Sequence, residues 1–391
     1  VSHPSTARRR PRHTGRLAVA ALAVAAAVIP LSAPDPALAQ TTSSALAAPA
    51  SAETASAAIG TDLVHPSRNP VVLRDAPRKL AVNYTYKGEE HTLDDFLTAS
   101  KTNGFVVLDG QDVVLERYVG ADRNMRFQSW SVAKSFTSAA IGIALDEGHI
   151  RSIEDPVTRY LPELKGSGFD GVSIKNLLRM SSGIEWEETK GAPQLQALAQ
   201  RGRPLKNFAA RQKRGWKPGS RFEYTSVNSF VLARLIGQTT GMPYHRYVQE
   251  KIWKPAGMES SLLLGNDSSG DNLGYCCYYA TDRDFARFGL LYLRGGKANG
   301  KQVVPASWVR RSTKPSASFN ERYGLHWWLG GGGEKDYMAT GFGGQHIYVS
   351  PKHDVVIVKS VTSTPGGQID LEEAFTVLRA VAAEVARTRT K

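Results

Sequence analysis

Residues 131–145 restrict the fold of this chain more than any other segment, because they read as a helix that is apolar on nearly every side. Val132, Phe136, Ala140, Ile143 and Ala144 spread around its circumference, and Gly148 stops it. A helix without a polar face cannot lie on a surface, so other elements must enclose it. Their supply is uneven along the chain. Residues 93–102 read as a helix; Phe105-Val106-Val107-Leu108, a turn at Gly110 and residues 113–118 read as a hairpin. Helical patterns with long loops fill the middle, at 174–180, 226–237, 244–253 and 282–293. Strand patterns return at 345–349 and 355–360, and an amphipathic helix at 371–386 closes the chain. This order predicts an α+β fold in which an antiparallel sheet flanked by helices is built from residues 71–152 and 300–391. A mostly helical lobe, residues 153–299, is inserted between them. The composition, 41% hydrophobic and 22% charged over 391 residues, suffices for such a core.

The first 70 residues have another character. Arg8, Arg9, Arg10, Arg12 and Arg16 precede an apolar run at 17–31, and Ala37-Leu38-Ala39 offers a small-residue cleavage site before Gln40. Residues 1–39 are therefore expected to be an export signal, and the protein to be secreted. The apolar run falls short of the roughly 20 residues that span a bilayer, so no stable membrane insertion is expected after cleavage. The export route stays open, since the arginines are not followed by the rest of a twin-arginine motif. Residues 40–70, rich in Ala, Ser and Thr, read as a flexible linker, leaving 71–391 as the folded domain. The net charge of +13 includes five arginines against Asp35 in the leader, which leaves +9 for the rest. No Lys/Arg run is interleaved with aromatics and no zinc-finger spacing occurs, so a basic surface is expected rather than a nucleic-acid site. The two cysteines, Cys276 and Cys277, are adjacent. Bonding neighbours strains the peptide between them, and export permits oxidation; two small buried thiols are the expected state.

Ser131-Val132-Ala133-Lys134 is the one Ser-x-x-Lys sequence in the chain. Three residues apart on a helix, the two side chains share a face, so the lysine can reach the hydroxyl. Burial lowers a lysine's pKa and lets it accept the serine proton. The helix N-terminus adds a positive field where an oxyanion would form.

The segment Phe127-Gln128-Ser129-Trp130-Ser131-Val132-Ala133-Lys134-Ser135 resembles the first motif of class C β-lactamases, serine D,D-peptidases and 6-aminohexanoate-dimer hydrolases. Five further segments follow in the family's order. They are Leu177-Leu178-Arg179-Met180-Ser181-Ser182-Gly183-Ile184, Pro218-Gly219-Ser220-Arg221-Phe222-Glu223-Tyr224, and Thr281-Asp282-Arg283-Asp284-Phe285-Ala286-Arg287-Phe288-Gly289. Tyr323-Gly324-Leu325-His326-Trp327-Trp328 and Gly341-Phe342-Gly343-Gly344-Gln345 complete the set. The resemblance, over about residues 75–385, implies the β-lactamase/D,D-peptidase-like fold. It also implies hydrolysis of a small-molecule amide or ester through an acyl-enzyme, without cofactor or metal. Ser131 is then the nucleophile, Lys134 its base and Tyr224 the proton shuttle, with the N–H groups of Ser131 and Phe342 as oxyanion donors.

Two departures bear on the substrate. The β-lactamases carry Asn two residues after the motif tyrosine, where this chain has Ser226. They and the D,D-peptidases carry Lys- or His-Thr-Gly on the strand edging the site, where this chain has Ala339-Thr340-Gly341. The missing cation would ordinarily meet a substrate carboxylate, so the pattern is closer to 6-aminohexanoate-dimer hydrolases and related esterases. Carboxylesterase, D-amino-acid-type amidase, β-lactamase or D,D-peptidase activity, or a catalytically inert binding or sensor domain of the same fold, are the alternatives. Trp130, Trp186, Ser226, Cys277, Thr340, Gly341 and Gly343 are candidate pocket residues. Glu185, Glu187 and Glu188 read as a solvated acidic loop, and His326 and His346 as packing histidines, no Gly-x-Ser-x-Gly elbow being present. Oligomeric state cannot be read from the sequence.

Overall fold

The apolar run Phe105-Val106-Val107-Leu108 has no alternation because its strand is covered on both faces. In the computed structural model, which describes residues 59–362 and 370–389, these residues belong to a seven-stranded sheet. In chain order the strands used below are β1 (Gly60–Val64), β2 (Arg74–Asp75), β3 (Gly104–Asp109), β4 (Asp112–Tyr118), β5 (Phe127–Gln128), β6 (Leu262–Asn266) and β7 (Tyr278–Ala280). Then follow β8 (Trp328–Leu329), β9 (Tyr337–Gly341), β10 (Gln345–Ser350) and β11 (Val355–Ser360). The large sheet runs β8-β9-β10-β11-β3-β4-β2, antiparallel except for the parallel β2–β4 edge. Strands from both ends of the chain meet at its centre, where Ile357 faces Val107 and Val358 faces Val106.

Each face is buried by a helix. The helices that matter here are α1 (Ala133–Asp146), α2 (Glu188–Gln200), α3 (Ser226–Thr240), α4 (Asp282–Leu293) and α5 (Leu371–Thr388). Phe105, Val107, Tyr348 and Ile357 share a core with Phe375, Leu378 and Val381 of α5. Val106, Leu108, Ile347 and Val356 share the other with Phe285 and Phe288 of α4. Gly289 lets α4 approach the sheet: a Cβ there would lie 2.5 Å from Val356 and 2.9 Å from Ile347. A two-sided core explains why Val355 to Ser360 is fully buried along its length.

Helix α1 lies behind the sheet and is buried from Ala133 to Ala144. Its few hydroxyls are all answered by loops: Ser135 donates to the His326 carbonyl (2.7 Å), Ser138 to Leu325 (2.8 Å) and Thr137 to Gly274 (2.7 Å). The Trp308 ring lies against Gly142, where a Cβ would sit 2.3 Å from the indole. Gly142→Val is therefore expected to destabilise the fold by about 2 kcal/mol through overpacking, read as a lower urea midpoint.

The α+β architecture agrees with the sequence reading, with two corrections. Residues 60–64, assigned to the linker, form β1, which pairs in register with β6; the rest of the linker before residue 59 and the export signal lie outside the described residues. The inserted segment is mostly helical and also contributes β6 and β7, which form a four-stranded sheet with β1 and β5. Helix α2 was not foreseen at all. Its mean hydropathy is near neutral and it carries Pro193 in its interior, so no apolar period marks it.

Candidate active site

Ser131 lies in a short 3-10 turn, Trp130–Val132, that runs into α1. The preceding Trp130 holds a left-handed φ of 45°, a conformation that a bulky residue adopts only where its surroundings impose it. What imposes it is β9. Gly341, at the end of that strand, is pressed so closely on the Ser129–Trp130 backbone that a Cβ would meet the Ser129 carbonyl at 2.5 Å. The Trp130 and Phe342 rings then meet edge to face, 5.5 Å apart. Ser131 N–H, in the first turn, has no intrahelical acceptor, and the turn Gly341-Phe342-Gly343-Gly344 borders it. Gly343 takes φ 79° and Gly344 φ 95°, so the turn needs both glycines.

One turn along, Lys134 is 1% exposed. Its Nζ donates to Ser131 Oγ at 2.8 Å and to the Tyr275 carbonyl at 3.1 Å. Burial pulls its pKa down to about 8, with the negative charge of Glu188 opposing the shift. The same Nζ stands 5.0 Å above the centre of the Tyr224 ring. Burial first, and then Glu188, raise the Tyr224 pKa above the ordinary phenol value, against the pull of the nearby Ser131 hydroxyl. Trp328 stacks on the Tyr224 ring at 5.8 Å and Tyr323 meets it edge-on at 6.3 Å. The Tyr323-to-Trp328 segment thus clamps the phenol. Serine, lysine and tyrosine, 93 residues apart in sequence, converge at one place.

The other predicted residues divide. Ser226 is buried beside Tyr224, with its N–H and hydroxyl both directed to Glu188. Trp186 donates its indole N–H to the same carboxylate at 2.6 Å. Thr340 is half-buried, and its hydroxyl has no partner among the described residues. Trp327 and Tyr278, outside that candidate set, are fully buried core aromatics. His326 and His346 are buried and neutral: burial lowers the first to about 3 and the second well below the ordinary imidazole value. His326 Nε2 meets Ser229 Oγ at 3.0 Å, which fits packing.

Two expectations are overturned. Cys276 and Cys277 form a disulfide between neighbours rather than two thiols; both are buried, and the left-handed backbone at Cys277 (φ 68°) accommodates the small ring. Cys277 lies beside the site, its sulfur 3.7 Å from Gln128 Nε2. Glu188 is not part of a solvated loop. It opens α2, holds three hydrogen bonds and is pushed above the usual carboxylate range by burial, while Lys134 and its donors pull it back. Glu185 and Glu187 are the exposed ones, and Glu187 pairs with Lys190. Nothing local separates Glu188 from Glu185 and Glu187; the contact with Ser226 spans 38 residues. No group of side chains suited to a metal ion occurs among the described residues.

A family model described as Beta-lactamase matches residues 91–382. The 6-aminohexanoate-dimer hydrolase of Paenarthrobacter ureafaciens is 29% identical over 291 residues, which cover 68% of this chain and 74% of that protein. A Bacillus anthracis structure provisionally described as a 6-aminohexanoate-dimer hydrolase superposes with a TM-score of 0.76 at 25% identity, covering 85% of this chain and 92% of the other. A family VIII carboxylesterase shares the fold at 15% identity, with a TM-score of 0.57 over 74% of this chain and 95% of that one.

Proposed function

The chain belongs to the beta-lactamase family and is a serine hydrolase, and from that premise we propose that it cleaves a small amide or ester through an acyl-enzyme on Ser131. The observation that carries this reading is the 2.8 Å contact between Lys134 Nζ and Ser131 Oγ, with the same Nζ 5.0 Å from the centre of the Tyr224 ring. Neutral Lys134 takes the Ser131 proton as Oγ attacks the carbonyl carbon. The Ser131 and Phe342 N–H groups receive the oxyanion. As the tetrahedral intermediate collapses, a proton passes from lysinium through Tyr224 to the leaving amine or alcohol. Water activated by the same pair then attacks the acyl carbon and frees Ser131.

The substrate class follows from what edges the site. Ala339 stands where a cation would greet the carboxylate of a penicillin, and Ser226, engaged with Glu188, offers no amide to hold one. Linear amides of the 6-aminohexanoate-dimer kind and short-chain esters are the proposed substrates. Initial rates on p-nitrophenyl acetate, 6-aminohexanoate dimer and nitrocefin test this: turnover of the first two is expected to exceed that of nitrocefin, and the reverse order would overturn the reading. Export is also proposed. The basic-then-apolar pattern of residues 1–39 supports it, as does a disulfide in a chain with only two cysteines.

The pH dependence has a definite sign. A lysine must lose its proton to act as a base, so kcat/KM is expected to rise with pH and level off above about 8. Tyr224 and Tyr275 are both raised by burial and keep their protons across that range. A profile that falls as pH increases from 6 to 8 would exclude Lys134 as the base.

A further inference from the structure

Burial makes Lys134 a base, and burial acting alone would make it a poor one, since an amine that resists protonation also accepts a proton weakly. Glu188 opposes that effect. Ser131 from its own turn, Tyr224 from the segment before α3 and Tyr275 from the loop before β7 contact Lys134, while Glu188 from α2 and His326 from the segment before β8 interact with it electrostatically. The phenols hold their protons and the imidazole is neutral, so Glu188 is the group that supplies an anion.

The carboxylate is held in a built setting. Its Oε2 accepts the Ser226 N–H at 2.9 Å and the Trp186 indole N–H at 2.6 Å, and its Oε1 accepts the Ser226 hydroxyl. Helix α3 begins at Ser226, and Thr225 at its N-cap provides no side-chain cap bond. The Ser226 N–H is one of the donors a helix start leaves open. Glu188 fills that place from another helix, with its negative charge at the positive end of α3. Tyr224 stands two residues before that junction.

Resting on the acyl-enzyme reading above, we propose that Glu188 is a positioning residue, the internal counter-anion of Lys134. It stabilises the lysinium formed when the Ser131 proton moves to Nζ, and it fixes the start of α3 that presents Tyr224. Lys134 and Glu188 consequently titrate as a coupled pair, and the acid limb of the rate profile belongs to both.

The test is the pH profile of kcat/KM on a p-nitrophenyl ester, with fluorophosphonate labelling of Ser131 measured alongside. Glu188→Gln keeps an acceptor oxygen for Ser226 and removes the charge. Its acid limb is expected to move down by about one pH unit, and its plateau to fall by up to about tenfold because the base is weaker. Glu188→Asp keeps the charge, and serves alone if the glutamine variant does not fold: its limb is expected at the wild-type position. Glu187→Gln, on the exposed neighbour, is expected to reproduce the wild-type profile. A Glu188→Gln limb that coincides with wild type, or a Glu188→Asp limb displaced downward, would overturn the proposal. Wild-type protein that turns over no ester and takes no label would instead overturn the acyl-enzyme reading on which it rests.

Discussion

Ser131→Ala is expected to lower kcat on any ester or amide substrate by about 10⁴-fold or more, and to abolish the acyl adduct in an intact-mass measurement. Losing the nucleophile removes the covalent route altogether, so neither Lys134 nor the oxyanion donors can compensate. The fold should be indifferent. The hydroxyl is half-buried in a turn whose backbone is fixed by Gly341 from one side and by α1 from the other. Lys134 Nζ keeps its bond to the Tyr275 carbonyl when the hydroxyl is gone. A Ser131→Ala protein that is still acylated would move the nucleophile elsewhere and undo the proposed mechanism, whereas an unlabelled but normally melting variant supports it.

Lys134→Met should cost about 10³-fold in kcat/KM while making the protein more stable near neutral pH. The two effects share one cause. In the unfolded chain Lys134 keeps its ordinary pKa of 10.5, and in the fold burial depresses it to about 8. Between those values the unfolded chain binds more protons, so stability rises with pH there. Below about 8 the native state holds a buried ammonium, at a cost of about 3 kcal/mol relative to alkaline pH. Methionine fills a similar volume without the charge. Its melting temperature is expected above wild type at pH 7, the gap closing as pH approaches 10.5. A variant less stable than wild type at pH 7 would show that the contacts of Nζ to Ser131 and Tyr275 outweigh the burial of its charge.

A second buried lysine offers a contrast. Lys359 on β11 is fully buried, donates to the Gly344 carbonyl at 3.1 Å, and is lowered to about 7 by burial, against the pull of Asp282. It lies under the glycine turn rather than at Ser131. The two lysines look alike in chemistry, yet only Lys134 follows a serine by three residues on a helix. That local signal let the sequence single it out.

Short-range physics explains what could be read in advance. The apolar circumference of α1, the two-sided strands at 105–108 and 355–360, and Asp282–Leu293 with its Thr281 cap each express a pattern within a few residues. The element and its burial follow from that pattern alone. Ser131 and Lys134 belong to the same class, being one helical turn apart. Tyr224 was found through its motif, although its approach to Lys134 depends on Tyr323 and Trp328 from a distant segment.

The sequence by itself determined the α+β order of elements, the buried helix and the serine–lysine pair, because periodicity and helical spacing are local properties. Only the tertiary structure decided that 60–64 is a sheet strand, that Cys276 and Cys277 are bonded, and that Glu188 among three neighbouring acids enters the site. Each of those outcomes depends on what packs opposite the residue, such as β6, the fold around Cys277 or the start of α3. A carboxylate's neighbours in space, unlike its neighbours in the chain, come into being only when the chain folds.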